Sequence, residues 1–137
     1  MNYPGARLSH VGVVVDDLDA AIRFLISRFG CNIREEVRLP GIKASWVSGL
    51  GIDIELIEVG DDNQRVRRLA VGETARIDHL AIEVSEIEHA ITDLRASGVE
   101  TTADEAVRVG DTLNFWTRPE TTDGVTYQLL ARMTGHG

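Results

Sequence analysis

Two pairs of side chains stand out for chemistry. Of the four histidines in this 137-residue chain, His10 and His79 share a context. His10-Val11-Gly12-Val13-Val14-Val15-Asp16-Asp17-Leu18 lies over His79-Leu80-Ala81-Ile82-Glu83-Val84-Ser85-Glu86-Ile87 without a gap. At a similar separation in each copy comes a second matched position, Glu55-Leu56 in the first and Gln128-Leu129 in the second. A duplicated half-domain brings its equivalent positions to one junction, so the two pairs suggest one site built from both halves. Two imidazoles, a carboxylate and a carboxamide oxygen suit a divalent metal such as Co, Ni, Zn, Mn or Fe. Four such ligands leave coordination positions for substrate or water. Taken singly, a strand histidine is more often an ordinary half-buried residue, and Glu55 and Gln128 also read as solvent-facing residues of antiparallel strands. His89, in a helix, and His136, in the tail, read as solvent-exposed.

Holding such a set in place falls to strands. Residues 8–15 and 77–84 are rich in β-branched and aliphatic side chains and read as strands. Asp16 or Asp17 in the first copy, and Ser85 in the second, are N-cap types, and acidic residues crowd the turn after each. Leu18, Ala21, Ile22, Leu25 and Ile26 fall on one helical face, as do Ile87, Ala90, Ile91 and Leu94. Gly30 and Gly98 sit where a helix ends. Strands are then predicted over 32–39, 42–48 and 52–59, and over 99–107, 111–117 and 125–132. The pattern is βαβββ, twice. Strand alternation sets Glu55 on the face of Asp53 and Ile57, and Gln128 on that of Thr126 and Leu130. One domain is expected, with module one over residues 7–59, a polar linker over 60–75 and module two over 76–132. The linker carries Asp61 and Asp62, then Arg65, Arg67 and Arg68, and the tail 134–137 is expected to fray.

Composition narrows the classes. Hydrophobic residues at 43% and charged residues at 26% describe a globular chain. Fourteen Lys+Arg against 22 Asp+Glu give a net charge of −8, which argues against a nucleic-acid-binding surface. No apolar run is long enough to span a membrane. The opening Met1-Asn2-Tyr3-Pro4 has no basic and apolar leader pattern, so no secretory signal is expected. With Cys31 alone, no intrachain disulfide is available, and a cytoplasmic protein is the simplest expectation.

The chain resembles the vicinal-oxygen-chelate superfamily of glyoxalases, bleomycin-resistance proteins, extradiol dioxygenases and methylmalonyl-CoA epimerases. The carrying segments are Leu8-Ser9-His10-Val11-Gly12-Val13-Val14-Val15-Asp16-Asp17-Leu18, Ile54-Glu55-Leu56, Ile77-Asp78-His79-Leu80-Ala81-Ile82-Glu83-Val84 and Gly124-Val125-Thr126-Tyr127-Gln128-Leu129. The resemblance implies an α+β fold of two paired βαβββ modules forming an open U-shaped barrel. At its centre it implies a divalent metal on His10, Glu55, His79 and Gln128, acting as a Lewis acid on two neighbouring substrate oxygens. It also implies a homodimer. The short connection between the modules, and Phe115-Trp116-Thr117-Arg118-Pro119 leading to Gly124-Val125, are most similar to methylmalonyl-CoA epimerases.

Three positions depart from the epimerase pattern. Arg118 stands for a loop histidine, Gln128 for the usual last-ligand glutamate, and the position of a glutamate that some epimerases use as base falls near Ala44. A carboxamide takes no proton from carbon, so Glu55 is the one carboxylate of the ligand set and the candidate base, although metal ligation weakens it in that role. Glu83, on the strand face of His79, is a second candidate base, or else a structural strand residue. The implied activity is a metal-dependent isomerase or epimerase acting through an enolate of a carbonyl substrate, with a CoA thioester the expected substrate. Net negative charge repels a polyanion such as CoA, which Arg65, Arg67 and Arg68 would offset. A glyoxalase-like lyase and a metal-free drug- or metabolite-binding protein are the alternatives.

Overall fold

The computed structural model describes residues 5–60 and 69–133. The chain divides into two compact units, His10–Asp78 and, together with Met1–Ser9, His79–Gly137. Each follows the βαβββ order, as the repeat predicts. The first half runs β1 (Arg7–Val15), α1 (Leu18–Phe29), β2 (Asn32–Leu39), β3 (Ile42–Ser48) and β4 (Asp53–Val59). The second runs β5 (Ala75–Glu83), α2 (Ile87–Ala96), β6 (Val107–Val109), β7 (Thr112–Trp116) and β8 (Tyr127–Arg132). In the first unit the strand order is β2-β3-β4-β1, with β1 parallel to β4 and the other pairs antiparallel. The second has the order β5-β8-β7-β6, again with one parallel pair, β5 with β8.

Each helix covers one face of its own sheet. Leu18 and Ile22 of α1 are buried with Val15, Cys31, Val47 and Leu56. Ile87, Ala90 and Ile91 of α2 are buried with Val84, Phe115, Leu129 and Ala131. Full burial of such side chains stabilises by roughly 1.5–3 kcal/mol each. Alternation along the strands turns the other set of residues to the opposite face. In the first unit that face carries a smaller apolar cluster, Val14, Ala44, Ile57 and Val59, covered by Leu69. Beyond Leu69, the Ala70 amide donates to Glu73 Oε1 and, with Arg76, holds the Glu73 carboxyl below its ordinary value.

The first buried helical residue sets each helix start. Leu18 is 2% exposed, so Asp17, not Asp16, is the N-cap, and its carboxylate accepts from the Ala20 amide at 3.0 Å. In α2 the expectation of Ser85 is corrected. Ile87 is the first buried residue of the helix, which places Glu86 at the cap without a side-chain bond. Gly30 closes α1 in the left-handed region at φ 68°, its amide reaching the Ile26 and Leu25 carbonyls.

A second correction concerns 99–107, predicted as a strand. Only Val107–Val109 forms one there, with an isolated bridge between Thr101 and Thr117. The cause is Arg95 at the end of α2, whose guanidinium donates to the Ala103 and Asp104 carbonyls at 3.2 and 2.6 Å and to Thr101 Oγ1 at 3.2 Å. Arg118 takes the Thr101 carbonyl at 3.1 Å. Carbonyls engaged by side chains in this way are withdrawn from a ladder, and the segment curls. Asp61, Asp62, Arg65, Arg67, Arg68 and His136 lie outside the described residues. Among the described residues no helix is long and apolar enough to cross a membrane.

The two helix starts make a controlled comparison. Asp17→Ala should lower unfolding free energy by about 1 kcal/mol through loss of its cap bond. Ser85→Ala should change it by less than about 0.5 kcal/mol. Urea denaturation of both proteins checks the contrast.

Candidate metal centre

In the first unit the proposed ligands lie on the face that α1 leaves uncovered. His10 on β1 is 5% exposed. Its Nε2 lies 3.6 Å from Glu55 Oε1 on β4, a carboxylate whose side chain is 21% exposed. Parallel register sets Gly12, not His10, opposite Glu55. With glycine there, no side chain of β1 stands between the imidazole and the carboxylate. The antiparallel neighbour of Glu55 is Trp46, whose ring meets the His10 ring edge-on, 4.6 Å between centroids. Arg34, at the bulge of β2, lies 5.3 Å over the Trp46 ring and donates to Asp53 Oδ2 at 3.0 Å. Ala44 is buried among Val14, Ile57, Val59 and Leu69, and brings no titratable group to this face.

The second unit repeats the arrangement. His79 on β5 and Gln128 on β8 are buried, at 6% and 9% exposure, on the face opposite α2. Register pairs Ala81 with Gln128, and Trp116 stands across from Gln128 as Trp46 does from Glu55. Sequence reasoning missed this equivalence of the two tryptophans. It also missed Asn114, 3% exposed, whose Oδ1 accepts from Gln128 Nε2 at 2.8 Å. Asn114 stands opposite Leu130 on β7, as Ala44 stands opposite Ile57 on β3. Cross-strand register was the missing signal, and the repeat alignment alone did not supply it. With its amide nitrogen engaged, Gln128 turns its carboxamide oxygen away from Asn114, the atom a hard or borderline cation accepts.

Glu83 lies on the face of His79 but four residues further along β5, about 13 Å. Its carboxylate meets Arg7 at 3.4 Å and Arg132 at 3.8 Å. His89 is on the exposed side of α2. The donor set therefore fits a divalent ion in chemistry. His10, Glu55 and His79 each offer one ligand atom, and Gln128 offers a neutral oxygen fixed by a neighbour.

Paired βαβββ units, each with a histidine on its first strand and an oxygen donor on its last, define a class. A sequence model of the glyoxalase/bleomycin resistance protein/dioxygenase superfamily matches residues 9–115, and the chain belongs to that superfamily. Within it, the mitochondrial methylmalonyl-CoA epimerase of Mus musculus is 32% identical over 103 residues, 73% of this chain and 58% of the mouse protein. This chain thus spans a little over half of that relative's length. The crystal structure of methylmalonyl-CoA epimerase from Mycobacterium tuberculosis matches with a TM-score of 0.79 at 25% identity, over 91% of this chain and 87% of that one. A methylmalonyl-CoA epimerase in complex with methylmalonyl-CoA and NH4+ matches with a TM-score of 0.76 at 20% identity, over 94% and 96%, a likeness of fold.

Buried amides are costly to leave unpaired. In metal-free protein, Asn114→Ala should destabilise by about 1–3 kcal/mol, because Gln128 Nε2 loses its acceptor at a buried position. Thermal and urea unfolding measure the change.

Proposed function

We propose that this chain is an epimerase-type isomerase that removes and returns the proton next to a thioester carbonyl, at a metal centre held by His10, Glu55, His79 and Gln128. The observation that carries the reading is the His10–Glu55 pair, 3.6 Å apart on the helix-free face, with its repeat equivalent His79 and Gln128. Kinship with methylmalonyl-CoA epimerases supports an enolisable CoA thioester as substrate. A divalent ion such as Co, Ni, Zn or Mn, when bound, supplies Lewis acidity toward two neighbouring substrate oxygens.

The chain's own residues do the rest. The imidazoles of His10 and His79 ligate as neutral donors and hold their positions through burial. Trp46 walls the His10 ring on one side. Glu55 is the carboxylate we assign to the proton. The α C–H bond breaks, the proton passes to a Glu55 oxygen, and the electron pair enters the thioester enolate. A solvent water gives a proton to the opposite face of the enolate, which inverts the carbon, and the hydroxide left behind takes the proton held on Glu55. Gln128 is neutral and cannot share this role. Glu83 is the weaker candidate because its carboxylate is engaged by Arg7 and Arg132. We also read the chain as a cytoplasmic homodimer. Its single cysteine supports a reducing compartment, and the exposed Phe24 and Phe29 of α1 offer apolar surface for self-association.

Purified wild-type protein should bind one divalent ion per chain, and His10→Ala/His79→Ala should lose it. Metal analysis and titration with Co, Ni, Zn and Mn check this, and wild-type protein that refuses all four sinks the metal centre in favour of the metal-free binder.

Metal-loaded protein should exchange the α-proton of methylmalonyl- or malonyl-type thioesters for solvent deuterium, and a chelator should abolish it. Glu55→Gln should slow exchange by about 10²–10⁴-fold, the usual worth of a general base. Glu83→Gln should stay within about threefold of wild type if Glu83 only pairs with its arginines. A thioester panel without metal-dependent exchange would move the glyoxalase-like reading ahead.

A further inference from the structure

We infer that Asn114 is a positioning residue that sets which end of the Gln128 amide faces the metal centre. The inference rests on the metal-centre reading above and concerns how a neutral ligand is made reliable. An unrestrained glutamine amide presents either its oxygen or its NH2 group, and only the oxygen binds a cation. Its polarity must therefore be fixed by something that can itself point only one way.

The second unit contains such a fixed end. A backbone carbonyl only accepts. The Val109 carbonyl accepts from the Thr112 hydroxyl at 2.9 Å, which spends that hydroxyl's one proton. Thr112 Oγ1 is left to accept, and it does so from Asn114 Nδ2 at 2.9 Å. A second carbonyl, that of Val107, lies 3.5 Å from the same Nδ2. Both partners require the nitrogen of Asn114 on that side, so its Oδ1 faces Gln128 and accepts from Nε2 at 2.8 Å. The Gln128 oxygen is then the end turned away. Polarity passes from the Val107 and Val109 carbonyls of β6, the latter by way of Thr112, to Asn114 and then to the ligand atom. Asn114 and Gln128 are both at least nine-tenths buried, so water does not compete freely for the bond between them.

The arrangement suits glutamine in particular. A glutamate at 128 would set a carboxylate oxygen against Asn114 Oδ1, and Asn114 could turn its nitrogen there only by giving up Thr112 and Val107. Gln128 and Asn114 are thus one device, in which the departure from the family's usual acidic ligand is matched by a neighbour on β7.

The test is a double-mutant cycle on the full chain, read as Co2+ affinity. Asn114→Leu should weaken binding by about 10–100-fold, the usual effect of losing a partner that orients a metal ligand. In a Gln128→Leu background, where no ligand remains to be oriented, the same change should cost less than about twofold. Replacing both partners by apolar residues removes the pair together, so that double variant should still fold. Equal losses in both backgrounds would make Asn114 a packing residue and overturn the inference, as would an Asn114→Leu protein with wild-type affinity. A second readout needs no metal. The side-chain amide protons of Gln128 should exchange slowly with solvent in wild type and rapidly in Asn114→Leu, and rapid exchange in wild type would also overturn the assignment. Wild-type protein that binds no Co2+ while its Gln128 amide exchanges slowly would instead sink the metal-centre reading on which the inference stands.

Discussion

In each unit one helix has one sheet face to bury, and that constraint orders the rest. Val15, Val47 and Leu56 are committed to α1, and Val84, Phe115, Leu129 and Ala131 to α2. A strand cannot turn neighbouring side chains to the same face. Once the helix has claimed one parity, His10, Glu55 and Trp46 share the other in the first unit, and His79, Gln128, Asn114 and Trp116 share it in the second. His10, His79, Asn114 and Gln128 on those faces are buried, so each needs a partner or a ligand. The face that carries the proposed ligands is thus a consequence of where the helices pack, with the side-chain types deciding its chemistry.

The same logic separates what the sequence made legible from what it hid. The repeat was legible because duplicated positions keep their neighbours along the chain: His10 with His79, Glu55 with Gln128, Leu18 and Ile22 with Ile87 and Ile91. Most strands followed from periodicity, and so did the helix faces except at Ile26, which is exposed. Cross-strand partners were hidden, because register is a relation between segments that no local pattern records. Trp46 and Trp116 look unrelated until β3–β4 and β7–β8 pairing sets them opposite Glu55 and Gln128. Asn114 is hidden for the same reason, because only β7–β8 pairing brings it against Gln128. The stretch 99–107 misled in the opposite direction. Its composition favours a strand, but Arg95, a residue outside the segment, takes the carbonyls a ladder would need. Ser85 failed as a cap because burial of Ile87, rather than cap chemistry, sets where α2 begins.

Gln128 decides how the proposed centre differs from one with two acidic ligands. Two neutral imidazoles, one carboxylate and one carboxamide leave a divalent ion with one net positive charge, where a second carboxylate would cancel it. The residual charge favours enolate formation, since stabilisation of developing negative charge grows with the field at the reacting oxygens. The same substitution weakens the hold on the ion and removes a potential base. A centre of this kind needs its neutral ligand well oriented, because a misdirected amide contributes nothing, whereas either oxygen of a carboxylate would serve. The hydrogen-bonded chain from Val109 through Thr112 and Asn114 meets that requirement with groups whose polarity is set by the main chain. It leaves Glu55 as the only proposed ligand able to accept a proton, so metal binding and base strength are coupled in one side chain. Any gain in affinity through Glu55 lowers its basicity. Because Gln128 is neutral the ion keeps more of its charge, so it draws harder on Glu55 and the coupling falls on that one carboxylate.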